Sequence, residues 1–265
     1  MNIKMVVTDL DNTLLKSDKT ISDYTAKVLN GYRARGIKIV FATARAESNC
    51  EKYIELINPD AIVSNGGALV RIGDETVYRK PMDLETTNAL LLSCVEHKSV
   101  GCITVETDKG CLVMNMTADE NEWKRNGFYP IYTDFSKGLD SEAYKITVEI
   151  FDDDAAEIIM SDFPAIDTVK FTGEPWVRFA EKAANKFEGV KALAAYIGID
   201  MKTVIAFGDD YNDVGMLREC GIGVAVNNAI DEAKAAADFI CDTNDNNGVA
   251  KWLEENFLSE YIQTE

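Results

Sequence analysis

The sequence contains a single histidine, His97, among its 265 residues. Catalysis by a serine–histidine–aspartate triad and metal binding by several histidines are therefore poorly supported. His97 lies at the end of a predicted amphipathic helix, and this position is typical of a helix-terminal or surface histidine. Proton transfer would therefore fall to carboxylates, and Asp and Glu number 45 against 27 Lys and Arg.

The chain also lacks the features of nucleic-acid-binding, exported and membrane proteins. Its formal net charge is −18 and no basic stretch is present, which argues against a nucleic-acid partner. No apolar run reaches about 18 residues and no signal-peptide pattern occurs, so we expect no membrane association and a cytoplasmic location. The six cysteines form no C-x-x-C pair, so we expect reduced, packed thiols.

The first and last thirds of the chain alternate apolar strands with helices. Continuous apolar runs at residues 3–7, 37–42 and 61–64 are typical of buried strands, and the first helix is expected between Ser22 and Gly36. The same pattern resumes near Lys182. It predicts an α/β fold with a doubly wound parallel sheet, in one discontinuous domain made of residues 1–81 and 182–265.

Residues 82–181 follow a different pattern, in which strands have one apolar and one polar face. In the clearest case, residues 144–150, apolar residues alternate with Lys145, Thr147 and Glu149. The order of elements is roughly helix, two strands, helix, strand, helix, two strands. We predict an α+β domain on an antiparallel sheet, inserted into the first domain as a candidate lid.

Polar residues follow three of the predicted buried strands. Asp9 and Asp11 follow the first strand, Thr43 follows the second, and residues 209–213 follow a strand of the last third. Residues two apart on an extended chain point the same way, although the turn could re-aim Asp11. Carboxyl ends of parallel strands meet at one edge of a sheet, so we expect these groups to converge.

Converging carboxylates would repel one another unless a cation lay between them. An oxygen-rich site with few protein ligands suits Mg²⁺ together with a substrate phosphate, and so indicates phosphoryl chemistry. Taken singly, the segments at Asp9 and Asp209 are as typical of polar turns, and that alternative stays open at this point.

Four short motifs in order resemble those of the haloacid dehalogenase (HAD) superfamily. Asp9-Leu10-Asp11-Asn12-Thr13 resembles its D-x-D-x-T motif, and Gly208-Asp209-x-x-Asn212-Asp213 is similar to its fourth. Thr43 and Lys186 match the second and third motifs. The insertion between the second and third motifs, with Asn65-Gly66-Gly67 and Asn228-Ala229, is similar to the large-cap, Cof-type phosphatases. The resemblance covers nearly the whole chain.

The resemblance implies a HAD-like Rossmannoid core with an inserted α+β cap that selects substrate. It also implies a Mg²⁺-dependent phosphatase that acts on a small phosphorylated metabolite, such as a sugar phosphate. Asp9 would form an aspartyl phosphate, and Asp11 would serve as acid and then as base.

The resemblance further assigns the phosphate and metal contacts. Thr43 and Lys186 would hold the transferring phosphoryl oxygens, and Asn212 would either contact the phosphate or orient Lys186. The Mg²⁺ would be held by Asp9, Asp11 through its carbonyl oxygen, and Asp209, with Asp213 either ligating or supporting.

Two other functions remain open. A phosphomutase would use the same aspartyl phosphate but return it to the substrate. A phosphoacceptor or metabolite-sensing protein would use Asp9 as a receiver; the inserted domain and Asp11 argue against it, since a receiver needs neither a lid nor a second acid.

Two positions depart from the family pattern, and one segment mimics another motif. Asn12 stands where many relatives have Gly, and Asn tolerates the left-handed conformation. Ala44 replaces the Gly of the common T-G-R form and would be strained at positive φ, whereas Arg45 could steer an anionic substrate. The segment 242–247 resembles the start of a calcium loop, but its twelfth position is Leu253 instead of Glu.

Overall fold

The computed structural model describes residues 2–116, 130–171 and 173–258. They form two compact units, which we call the core unit (Met1–Arg79 and Asn185–Glu265) and the inserted unit (Lys80–Ala184). Each unit has its own sheet and its own hydrophobic interior.

The first segment of the core unit alternates strands and helices and then ends in a hairpin. Its elements are β1 (Met5–Thr8), α1 (Asp23–Ala34), β2 (Lys38–Ala42), α2 (Glu51–Ile57), β3 (Ala61–Ser64), β4 (Leu69–Ile72) and β5 (Glu75–Arg79). Ser22 caps α1 by accepting the N–H of Thr25, and Gly36 follows the helix at a φ of 81°. Both ends of α1 therefore agree with the sequence prediction.

The inserted unit consists of two helices and a six-stranded sheet among the described residues. Its elements are α3 (Leu84–Glu96), β6 (Val100–Thr107), β7 (Leu112–Met114), β8 (Ile131–Tyr132), β9 (Ala143–Ile150), α4 (Asp153–Asp162), β10 (Ile166–Lys170) and β11 (Trp176–Glu181). The strand order is β10-β11-β9-β6-β7-β8, and only β7 and β8 pair in parallel.

The alternation predicted for residues 144–150 is present in β9. Tyr144, Ile146 and Val148 are buried, and the residues between them are partly exposed. His97 ends α3 as its C-terminal cap residue. A helix is predicted between the strand at 112–114 and that at 144–150. The described part of this stretch, 130–142, holds β8 and a short turn at Phe135–Lys137, and residues 117–129 lie outside the described residues.

The second segment of the core unit returns to strands and helices. Its elements are α5 (Lys186–Ile197), β12 (Val204–Gly208), α6 (Val214–Glu219), β13 (Ile222–Val226), α7 (Asp231–Ala236), β14 (Phe239–Cys241) and α8 (Gly248–Leu253). α5 ends at Gly198, which has a φ of 70° and lies in the left-handed conformation that the sequence predicts for a helix stop.

The core sheet has eight strands in the order β14-β13-β12-β1-β2-β3-β4-β5. The strands from β14 to β3 run parallel to one another, and β4 pairs antiparallel with both β3 and β5. Every residue of β1 is buried. Its two faces pack into different hydrophobic clusters, one of which contains Val6 and the other Val7. β1 lies between β12 and β2, so the residues that follow these three strands meet at one edge.

All six cysteines are free; Cys111 is exposed and the other five are buried. In the described part of the chain, every helix is too short or too polar to cross a bilayer.

Candidate active site

Three buried carboxylates meet at the carboxyl edge of the core sheet. Asp9 follows β1, Asp209 follows β12, and Asp213 ends the short turn after Asp209. One carboxylate oxygen from each lies within 4.8 Å of the others. Asp9 is 5% exposed, Asp209 is 9% exposed and Asp213 is fully buried. The convergence expected from the strand ends is therefore present for these three acids.

A single buried ammonium group joins two of these carboxylates. Lys186, the first residue of α5, is 3% exposed, and its Nζ donates to Asp9 Oδ1 at 2.6 Å and to Asp213 Oδ1 at 2.7 Å. The lysine can reach them because the loop after β3 packs tightly against the start of α5. A Cβ atom at Gly67, where φ is 105°, would lie 2.0 Å from the carbonyl oxygen of Asn185.

Asp213 fixes both the side chain of Lys186 and the loop after β12. Its Oδ2 accepts the backbone N–H of Asp209 at 2.9 Å and that of Asp210 at 3.1 Å, while its Oδ1 accepts from Lys186. Both oxygens of Asp213 are thus engaged by protein donors. Asp209 Oδ1 accepts the hydroxyl of Thr13 at 2.6 Å, which ties the loop after β12 to the loop after β1.

The cluster has an excess of negative charge. Burial raises the pKa of Asp9 well above its ordinary value, and the charges of Asp213 and Asp209 raise it further against the opposing effect of Lys186. Burial likewise raises the pKa of Asp209 to about 6, although the hydrogen bond from Thr13 lowers it. One ammonium does not neutralise three carboxylates, so this oxygen donor set fits a divalent cation.

Asp11 lies outside this cluster because the turn re-aims its side chain. The following residue, Asn12, has a φ of 55°, and the Asp11 carboxylate accepts hydrogen bonds from Arg45 Nε at 2.6 Å, Arg45 Nη2 at 2.7 Å and Lys19 Nζ at 2.8 Å. Although burial alone would raise it, these bonds lower the pKa of Asp11 to about 2. The extended-chain expectation that Asp9 and Asp11 point the same way is therefore not met.

The remaining motif residues lie at the same edge of the sheet. Thr43 is 1% exposed, and its Oγ1 accepts the N–H of Arg45 at 3.1 Å. Ala44 is not among the residues with positive φ, so it has none of the strain considered for that position. Asn212 is half-buried in the turn Tyr211–Asp213, and the described contacts bring none of the other site residues to its side chain.

Sequence reasoning missed one partner of the site. Lys19 binds Asp11 from a backbone with a φ of 62°, which is uncommon for lysine, and nothing in the sequence pattern indicated it. The sequence suggests a substrate-steering role for Arg45, and in this structure its guanidinium holds Asp11.

The pKa of Asp209 leads to a stability prediction for the metal-free protein. Because the folded-state pKa of about 6 exceeds the ordinary value of 3.8, the stabilising contribution of this group is complete below the ordinary value and is lost as pH rises through 6. We expect Asp209→Asn to raise the melting temperature at about pH 8 by ~5 °C and to give no gain near pH 4. Calorimetry in a chelator measures this, and an equal difference at both pH values would contradict it.

Comparison with known proteins identifies the family. The family model described as haloacid dehalogenase-like hydrolase matches residues 6–253. A Haemophilus influenzae protein named "Putative phosphatase" is 31% identical, over 97% of this chain and 99% of that protein. The 5-amino-6-(5-phospho-D-ribitylamino)uracil phosphatase YcsE of Bacillus subtilis is 27% identical, over 95% of this chain and 94% of that protein.

A solved structure gives the same result for the fold. The haloacid dehalogenase-like hydrolase from Bacteroides thetaiotaomicron superposes with a TM-score of 0.83 at 27% identity, covering 96% of this chain and 100% of that one. The fold class and the family predicted from the motifs are therefore confirmed. The chain belongs to the haloacid dehalogenase-like hydrolase family, in which these relatives are named phosphatases.

Proposed function

We propose that this hydrolase is a Mg²⁺-dependent phosphatase that transfers the phosphoryl group of a small phosphorylated metabolite to Asp9. The observation that supports it most is the buried cluster of Asp9, Asp209 and Asp213 around Lys186. It combines a nucleophile, a cation and an oxygen-rich metal site, which is the set of groups that phosphoryl transfer requires.

We assign the metal to Asp9, Asp209 and the carbonyl oxygen of Asp11. When bound there, Mg²⁺ neutralises charge on the carboxylates and on the phosphoryl oxygens. Asp213 has both oxygens engaged by Lys186 and by backbone N–H groups. Of the two roles that the motif leaves open for Asp213, we therefore favour the supporting one.

The reaction has two steps. In the first, an oxygen of Asp9 bonds to phosphorus as the bond to the leaving oxygen breaks, and Asp11 gives that oxygen a proton. In the second, Asp11 takes a proton from water as the water oxygen attacks the aspartyl phosphate. Inorganic phosphate is released, and Asp9 and the proton on Asp11 are both restored.

The contacts of Asp11 bear on its two roles. A pKa lowered to about 2 keeps the carboxylate ionised, which is the form that the second step needs. In the first step Asp11 must be protonated, and this requires that Arg45 and Lys19 release its carboxylate. A substrate phosphate can compete for these cations, since it pairs with a guanidinium in the same bidentate way and carries more negative charge than one carboxylate.

Three residues remain for the phosphoryl oxygens. Lys186 has an N–H beyond the two that Asp9 and Asp213 accept, and the Thr43 hydroxyl hydrogen is not used by the bond from Arg45. We assign both to phosphate binding, with Asn212 as a further contact or as an orienting group.

We assign the choice of substrate to the inserted unit, residues 82–181 in the sequence-based division. The Bacillus subtilis relatives YcsE and YitU are named for a phosphorylated ribityl compound. Together with the resemblance, this favours a phosphorylated sugar or polyol over a large partner. Small phosphate monoesters are therefore the substrates to test.

The direct test is phosphate release from a panel of sugar and polyol phosphates, including 5-amino-6-(5-phospho-D-ribitylamino)uracil. With Mg²⁺ we expect one inorganic phosphate to be released for each ester molecule consumed. In excess chelator we expect no release, because the carboxylate cluster needs its cation. Isomer formation without free phosphate would identify a mutase instead. A long-lived phosphoprotein without turnover would identify a phosphoacceptor.

A further inference from the structure

The loop after β1 is held by side chains from the far end of the chain. Residues Leu10–Leu14 form one irregular turn. The carbonyl oxygen of Asn12 accepts Asn228 Nδ2 at 2.8 Å, and that of Leu15 accepts Asn244 Nδ2 at 2.9 Å. The donors lie 216 and 229 positions later in the sequence. The backbone beside Asp11 is thus fixed by two amide groups. Asn228 belongs to the Asn228-Ala229 pair of the family resemblance, which gives it no role, and Asn244 belongs to none of the motifs.

The two amides are also joined to each other and to the metal loop. Asn228 Oδ1 accepts the N–H of Asn244 at 3.0 Å, so both ends of this exposed side chain are engaged. Two residues on, Ile230 donates its N–H to the carbonyl oxygen of Asp209 at 2.9 Å. One short segment after β13 therefore contacts the loop of Asp11 and the loop of Asp209 at once.

We propose that Asn228 and Asn244, which we name the asparagine clamp, are positioning residues that hold these two loops in register for metal binding. The proposal rests on the proposed function for its metal, whereas the hydrogen bonds of the clamp are independent of it. Removing the clamp frees the carbonyl oxygen of Asn12, so the adjacent backbone of Asp11 loses a restraint. Of the described hydrogen bonds, that from Thr13 to Asp209 alone still joins the two loops directly.

The chemistry of the clamp explains why it is built from asparagine. Asn228 must donate to one carbonyl and accept one N–H, and a carboxylate has no donor for the first of these. An amide also adds no charge beside acids that already repel one another.

The clamp also accounts for the segment that resembles the start of a calcium loop. Asn244 belongs to the clamp, and Asp245 accepts the N–H and hydroxyl of Ser17 at 2.8 and 2.7 Å. Asn247 Oδ1 accepts the hydroxyl of Ser22 at 2.7 Å. Asn244, Asp245 and Asn247 therefore bind the segment that leads from β1 into α1. Asp242 accepts hydrogen bonds from Asn246 and Lys251, so the side chains of this segment are engaged by other groups of the same chain.

The test compares Asn228→Ala with Asn227→Ala in the full chain. Asn227 is the adjacent exposed asparagine, and its side chain lies outside the clamp. Hydrogen–deuterium exchange on metal-free protein reports the order of residues 10–15, and titration calorimetry with Mg²⁺ reports metal affinity. Asn244→Ala serves as a second variant, although its site is buried and it is expected to lower stability more.

We expect Asn228→Ala to speed exchange in residues 10–15 and to weaken Mg²⁺ binding about tenfold, which is the effect of losing one well-formed hydrogen bond. Its melting temperature should stay close to that of Asn227→Ala. If Asn228→Ala showed the same exchange rate in residues 10–15 and the same Mg²⁺ affinity as Asn227→Ala, the role of the clamp would be refuted while the proposed function would stand. Absence of Mg²⁺ binding by the unsubstituted chain would overturn the proposed function, and the role of the clamp in metal binding with it.

Discussion

Replacing Asp9 with asparagine is expected to lower kcat by about 10⁴-fold or more, because an amide oxygen cannot attack phosphorus as a carboxylate does. Substrate binding should change far less, since Lys186 and Thr43 remain. The measurement is phosphate release under saturating substrate and Mg²⁺.

The same substitution should leave the fold intact. The pKa of Asp9 is raised by burial and by its acidic neighbours, so a neutral side chain of the same shape is accommodated at no cost. We expect a metal-free melting temperature equal to or above that of the unsubstituted chain. Asp23→Asn, on the exposed first turn of α1, is the matched control and should retain full activity. Metal-dependent turnover by Asp9→Asn at the normal rate would refute the assigned nucleophile.

Replacing Lys186 with methionine is expected to have the second largest effect. The lysine is the one cation hydrogen-bonded to Asp9 and Asp213 in the described structure, and all three groups are buried. Removing the ammonium leaves the carboxylates of Asp9 and Asp213 buried without a compensating charge. This lowers the free energy of unfolding by about 3–5 kcal/mol. Urea denaturation of metal-free protein near neutral pH measures the loss.

Activity and pH give two further signatures of the lysine. Turnover should fall by roughly 10²–10³-fold, the usual cost of losing one charge-stabilising donor. The stability deficit should shrink in acid, because protonated carboxylates no longer need the ammonium. Lys191→Met, an exposed lysine on the same helix, should change neither property. A Lys186→Met protein as stable as the Lys191→Met control would contradict the buried-cluster account.

The sequence predicts the parts of this fold that depend on local pattern and burial. The solid apolar run at β1 is a buried central strand because helices cover both faces of its sheet. Ser22 and Gly198 cap helices through their own backbone and side-chain chemistry, which is independent of distant residues. The strand β8, of two exposed residues, has no such pattern and was not predicted.

The partners of the candidate site were harder to predict, since they depend on the folded chain. Arg45 and Lys19 meet Asp11 only because the turn at Asn12 redirects it. Asn228 binds a backbone carbonyl 216 positions away, and any residue type supplies that acceptor. The family-like pair Asn228-Ala229 marks Asn228 in the sequence but does not identify its acceptor, and no pattern marks the contacts of Lys19 and Arg45 with Asp11.

In the proposed reaction phosphate passes through Asp9, and the variant Asp11→Asn offers the most direct measurement of that step. With p-nitrophenyl phosphate the leaving oxygen is weakly basic and needs no proton, so Asp9 can still be phosphorylated, whereas the second step lacks its base. We predict a burst of one p-nitrophenolate per protein, with borohydride reduction converting residue 9 to homoserine. Steady turnover without a burst, or phosphate on another residue, would contradict the account.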